Sequence, residues 1–85
     1  MSIENKIKEM FETGKAGTIT LKPGIEIRDG RLRDSHTLAV ARSYPASLVS
    51  MDNYSVVLDM PPAEGMVRGY TVRVQKKKIE DIRYN

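Results

Sequence analysis

Three sets of residues in this 85-residue chain are of types that could do chemistry. Lys76, Lys77 and Lys78 stand in a row, and Arg28, Arg31 and Arg33 surround Asp29-Gly30. Tyr44, Tyr54, Tyr70 and Tyr84 are spread along the second half. Ammonium and guanidinium groups bind phosphate, and an aromatic face stacks on an unpaired base, so the set suits an anionic ligand and above all a nucleic acid. Each set also has a plainer reading. Lysines at a strand end protect an edge and keep a surface soluble. A strand tyrosine packs in an interior as readily as it stacks on a base. Glu26, Asp29 and Asp34 lie close enough in sequence to neutralise the arginines. Against that, a hairpin about Asp29-Gly30 sets Arg28 directly opposite Arg31, an unfavourable pair unless an anion joins them.

Catalysis has less to draw on. His36 is the single histidine and cysteine is absent, so a structural zinc site lacks ligands and disulfides are excluded. Asp34 and His36 could share a metal, but two ligands on one strand fall short of a site. The plainer reading of His36 is a structural, partly buried side chain in an alternating stretch whose inward positions are Leu38 and Val40. Ser35 and Ser43 have no evident base, and no glycine-rich phosphate loop is present. Asp52, Asp59 and Glu64 read as turn formers and solvating groups, and the methionines as core or hairpin residues. The expectation is a binding protein, not an enzyme, with no cofactor and no metal.

These groups must be positioned by one domain, residues 1–85, because the length leaves room for no second core. A 40% hydrophobic and 29% charged composition is that of a globular chain, not a disordered one. A domain this small buries a modest share of its surface and has neither disulfide nor zinc to help it, so a homo-oligomer is expected. The net charge of +3 permits contact with a nucleic acid or a membrane surface without requiring it. No apolar stretch reaches spanning length, and Glu4, Lys6, Lys8 and Glu9 break any signal-peptide pattern. No membrane association and a cytoplasmic location are therefore expected.

Ser2 suits an N-cap and Gly14 a C-terminal stop, with Ile3, Ile7, Met10 and Phe11 forming one apolar stripe between them. From Thr18 the period becomes two: Ile19, Leu21, Ile25 and Ile27 share one parity. Asp29-Gly30 is a strong hairpin signal. Its register pairs Arg28 with Arg31, Ile27 with Leu32 and Glu26 with Arg33, and continues to Leu21 with Leu38 and Ile19 with Val40. Pro23-Gly24 is a rival turn. It would set Leu21 against Glu26, so a kink or bulge is preferred there. Pro45 is expected to interrupt the chain between Ser43 and Ala46. Leu48–Met51 and Tyr54–Met60 then pair about Asp52-Asn53, with Val49 facing Val56 and Met51 facing Tyr54. After a Pro61–Gly65 loop, a strand from Val67 to Lys76 sets Tyr70, Val72 and Val74 opposite Leu58, Val56 and Tyr54. At Lys77 the alternation fails, and Ile79 and Ile82, three apart, imply a tight or helical turn before a last short strand. The class is α+β, mostly β: an N-terminal helix followed by about five antiparallel strands curled into a small barrel.

Two segments resemble the Hfq branch of the Sm-like family. Asp52-Asn53-Tyr54-Ser55-Val56-Val57-Leu58 is similar to that family's Asp-polar-aromatic-x-apolar-apolar-Leu stretch. Val74-Gln75-Lys76-Lys77-Lys78-Ile79-Glu80-Asp81-Ile82 resembles its closing segment, where a Lys-His pair precedes Ile-x-x-Ile. Lys77 stands where the family has histidine, and Gln75 where it has tyrosine. The family's short first hairpin would favour Pro23-Gly24 as the turn and make Arg31 to Ala46 an insertion. The resemblance implies a small Sm/SH3-like barrel and a ring of six or seven subunits joined strand to strand, with single-stranded RNA near the pore. Asn53 would bond a base edge, Tyr54 would stack on the base, and Lys76 and Lys77 would hold phosphate or base edge. Arg28, Arg31 and Arg33 form a secondary basic patch. The competing function is a protein-interaction module, such as a viral or mobile-element accessory protein, docking through a strand edge or that arginine hairpin. A small-ligand sensor is a third reading.

Overall fold

In the computed structural model, which describes residues 2–28, 30–62 and 65–84, the chain opens with helix α1 (Ile3–Thr13). The Ser2 hydroxyl accepts from the Asn5 N–H at 3.3 Å, satisfying one of the donors that a helix start leaves unpaired. Gly14 ends the helix, its N–H returning to the Met10 carbonyl. Ile7 and Met10 are buried as the stripe requires, and Ile3 packs at its margin, whereas Phe11 is exposed.

Seven strands follow among the described residues: β1 (Gly17–Leu21), β2 (Ile25–Arg28), β3 (Arg31–Asp34), β4 (Arg42–Met51), β5 (Ser55–Met60), β6 (Tyr70–Gln75) and β7 (Ile79–Tyr84). Five form one antiparallel sheet in the order β6-β5-β4-β1-β7, and β2 and β3 make a separate hairpin. One core unites them. Ile19 and Leu21 of β1, Val56 and Leu58 of β5, Val74 of β6 and Ile79 and Ile82 of β7 lie under Ile7 and Met10 of the helix. The helix is also tied to β7 by polar contacts. Lys6 Nζ meets Asp81 Oδ1 at 2.7 Å, and the Tyr84 hydroxyl donates to the Lys6 carbonyl. That lysine, aided by the Ile82 N–H, holds the Asp81 carboxyl below the usual carboxylate range.

The arginine hairpin has the expected register, Arg28 with Arg31, Ile27 with Leu32 and Glu26 with Arg33. Asp29 itself lies outside the described residues. The expected continuation into β1 does not occur: Ile19 pairs with Tyr44 and Leu21 with Arg42, not with Val40 and Leu38. The cause is at Pro23-Gly24, which makes a tight turn and not a kink. Gly24 sits at φ 85, where glycine is at ease, and the Ile25 N–H bonds the Lys22 carbonyl at 3.3 Å. The two candidate turns therefore coexist, one ending β1 and the other building the hairpin beyond it. Residues 35–41 become the return path, so His36 and Val40 are exposed and not part of an alternating strand.

Other pairings also shift. Pro45 does not interrupt its strand. β4 pairs with β1 through Arg42–Ala46 and with β5 through Ser47–Met51, so Pro45 lies where only one side has a described partner and a missing N–H is tolerated. Met51 faces Val56 instead of Tyr54, and Leu48 faces Leu58, with an irregularity at Val49. The turn consumes Asp52, Asn53 and Tyr54, one residue more than a two-residue turn about Asp52-Asn53. On β6, Tyr70, Val72 and Val74 face Met60, Leu58 and Val56, a two-residue shift that leaves Tyr54 outside the ladder. Val67 is an exposed bend residue, and β6 begins only at Tyr70. The break at Lys77 is a short 3₁₀ turn, Lys76–Lys78, leading into β7.

Candidate nucleic-acid interface

The β4–β5 turn is built by one carboxylate. Asp52 Oδ1 accepts from the N–H groups of Tyr54 at 2.8 Å and Ser55 at 2.7 Å. Its Oδ2 accepts from the Ser55 hydroxyl at 3.0 Å and from Arg73 at 3.1 Å. An aspartate bonding backbone amides two and three residues on substitutes for a backbone turn. All these donors favour the charged form. The two backbone N–H groups come first, then the Ser55 hydroxyl and the Arg73 charge, and together they hold the Asp52 pKa down to about 2. The consequence is a fixed loop that presents Asn53 and Tyr54 outward. Tyr54 is 82% exposed, a large aromatic surface left in water.

Against this loop sits the Lys76–Lys78 turn. The Lys76 N–H donates to the Tyr54 carbonyl at 2.8 Å, locking together two segments distant in the sequence. Lys22, just after β1, joins them through its N–H to the Lys78 carbonyl at 3.0 Å. The first turn of α1 closes another side with Ile3 and Glu4. The result is a cavity of ≈ 630 Å³. Asn53, Tyr54, Lys76 and Lys77 all line it, and so do Glu4, Lys22, Gln75, Ile3 and Ile79.

Charge in the cavity is positive but not uniform. Three lysines face one carboxylate. Glu4 Oε2 lies 3.6 Å from Lys76 Nζ, and the Lys76 side chain is only 14% exposed, so this ammonium is partly sheltered and directed. Lys77 is exposed. Asn53 and Gln75 add amides that both donate and accept. The cavity can therefore offer a stacking face, amide groups for a base edge and cations for phosphate.

Sequence reasoning identified four of these residues and missed Glu4, Lys22 and Gln75 as lining. Glu4 reads as solvated helix face, and Lys22 as the outward residue of a strand. Nothing local marks either, because only the tertiary fold brings them to the loop. Arg28, Arg31 and Arg33 do not line the cavity. They are exposed on the β2–β3 hairpin. Among the described residues no group of three or more His, Cys, Asp or Glu is placed to hold a metal ion. No described helix is long and apolar enough to cross a membrane. The chain matches no family model, no curated protein and no solved structure. What the cavity binds has to be read from its own chemistry.

Proposed function

We propose that this chain is an Sm-like subunit of a homo-oligomer that binds single-stranded RNA in the cavity walled by α1, the Asp52–Tyr54 turn and the Lys76–Lys78 turn. One observation carries the reading: Asn53, Tyr54, Lys76 and Lys77, chosen from two distant segments, line the same cavity. The helix and the sheet order β6-β5-β4-β1-β7 agree with a small Sm-like barrel in which the β2–β3 hairpin is an added element. In this reading a base stacks on Tyr54 and its edge meets Asn53. Lys77 and Lys22 neutralise phosphate, and Glu4 sets the direction of Lys76. Stacking joined to cationic contact is how unpaired RNA is held without a duplex. The larger sheet ends in β6 and β7, and pairing of these outer strands between subunits would close the sheet edges in a ring. A cytoplasmic location goes with the reading.

The test is titration of labelled oligo-U and oligo-A at two salt concentrations. Binding is expected to weaken with salt by about 0.7 log units per log salt for each phosphate neutralised. Lys76→Ala with Lys77→Ala should lower affinity at least tenfold. Tyr54→Ala should lower it by about five- to a hundredfold, the worth of one stacked base. Affinity unchanged in both variants contradicts the site.

A further inference from the structure

The β2–β3 hairpin gathers three exposed arginines, Arg28, Arg31 and Arg33. Strand alternation and the cross-strand register put Arg28, Arg31 and Arg33 on one face, opposite to Ile27 and Leu32, which pack toward the core. Of the nearby carboxylates, Glu26 shares the arginine face, opposite Arg33, but its carboxylate lies 3.6 Å from Arg42, and Asp34 lies 3.8 Å from Lys78. Among the described residues no carboxylate lies within ion-pair distance of the three arginines. The face is also held in place. Tyr44 bonds the Ile27 N–H through its hydroxyl at 3.1 Å, and Gly30 at the tip lies over the Tyr70 ring. Like charges fixed opposite one another on a braced hairpin are unfavourable without a counter-anion.

The base of this hairpin abuts the cavity. Lys22, which lines the cavity, immediately precedes the Pro23-Gly24 turn into β2, and Asp34 at the end of β3 reaches Lys78 of the lysine turn. We infer that the Arg28–Arg31–Arg33 face is a second binding surface, for the phosphodiester backbone of RNA that extends beyond the cavity. The inference rests on the RNA reading above. Arg31 and Arg33 are two residues apart on a strand, about 6.6 Å, the scale of successive phosphates in an extended strand. Guanidinium contacts to phosphate add affinity without reading sequence. The face therefore lengthens the bound segment and leaves base preference to the cavity.

The test uses the full chain with Arg28, Arg31 and Arg33 all changed to Gln, titrated with oligo-U and oligo-A of six and eighteen nucleotides at several salt concentrations. Hexamer affinity is expected to stay within twofold of the unaltered protein. Affinity for both eighteen-mers should fall at least tenfold, with the salt slope reduced by about 2 for three lost phosphate contacts. The variant with Arg28→Lys, Arg31→Lys and Arg33→Lys should keep most of that slope, and Arg31→Glu alone should weaken the eighteen-mers, which covers a triple variant that folds poorly. Unchanged eighteen-mer affinity and slope overturn the inference while the cavity reading stands, and leave the face to an acidic protein. If the unaltered protein binds neither length, both readings fall.

Discussion

At the scale of single residues, Asp52 organises the site without touching a ligand. Four hydrogen bonds converge on its carboxylate and keep Tyr54 and Asn53 at the cavity mouth. Its pKa, about 2 against an ordinary 3.8, is depressed in the folded protein, so the folded state binds that proton less readily than the unfolded chain. The stabilisation is complete above the ordinary value and disappears as pH falls from 3.8 towards 2. Asp52→Ala should therefore be less stable than the unaltered protein at neutral pH. The gap between their thermal midpoints should narrow as pH drops through that window, and a gap independent of pH would show that the carboxylate charge does not hold the turn. Asp52 and Asn53 were readable as turn formers because turn chemistry is local, whereas Tyr54, expected in the strand, lies in the turn. Glu4 and Lys22 were not, since their presence in the cavity depends on where the whole helix and the end of β1 come to rest.

At the scale of elements, period and capping chemistry located α1, β5 and β7, and the cross-strand pairing within the arginine hairpin was legible from Asp29-Gly30. Register beyond one hairpin was not. The Leu21–Leu38 pairing seemed consistent because both residues are apolar, yet a Pro-Gly turn with its own hydrogen bond ends β1 first. Likewise, Asp52 accepts from Ser55 as well as Tyr54, which lengthens the turn and moves the β4–β5 pairings. Where β1 meets β7, backbone approach is close enough that a Cβ on Gly17 would run into the Arg83 carbonyl. Gly17→Ala should cost about 1–3 kcal/mol by overpacking. That would lower the thermal midpoint by at least about 4 °C in a domain of this size. An unchanged midpoint would mean that the two strands part without penalty.

At the scale of the whole molecule, a small core of one helix and two antiparallel sheets supports a cationic cavity, and β6 and β7 are the outer strands of the larger sheet. Strand pairing between subunits would use both. Size-exclusion with light scattering should therefore give a mass several times 9.6 kDa, and a strict monomer at all concentrations would remove the ring. Hydrogen exchange with and without an oligo-U hexamer tests the proposed RNA position most directly. Slowed exchange confined to the Asp52–Ser55 and Gln75–Ile79 segments is the expected result. No protection there, or protection only at sites remote from the cavity such as the Leu58–Met60 end of β5, would contradict it.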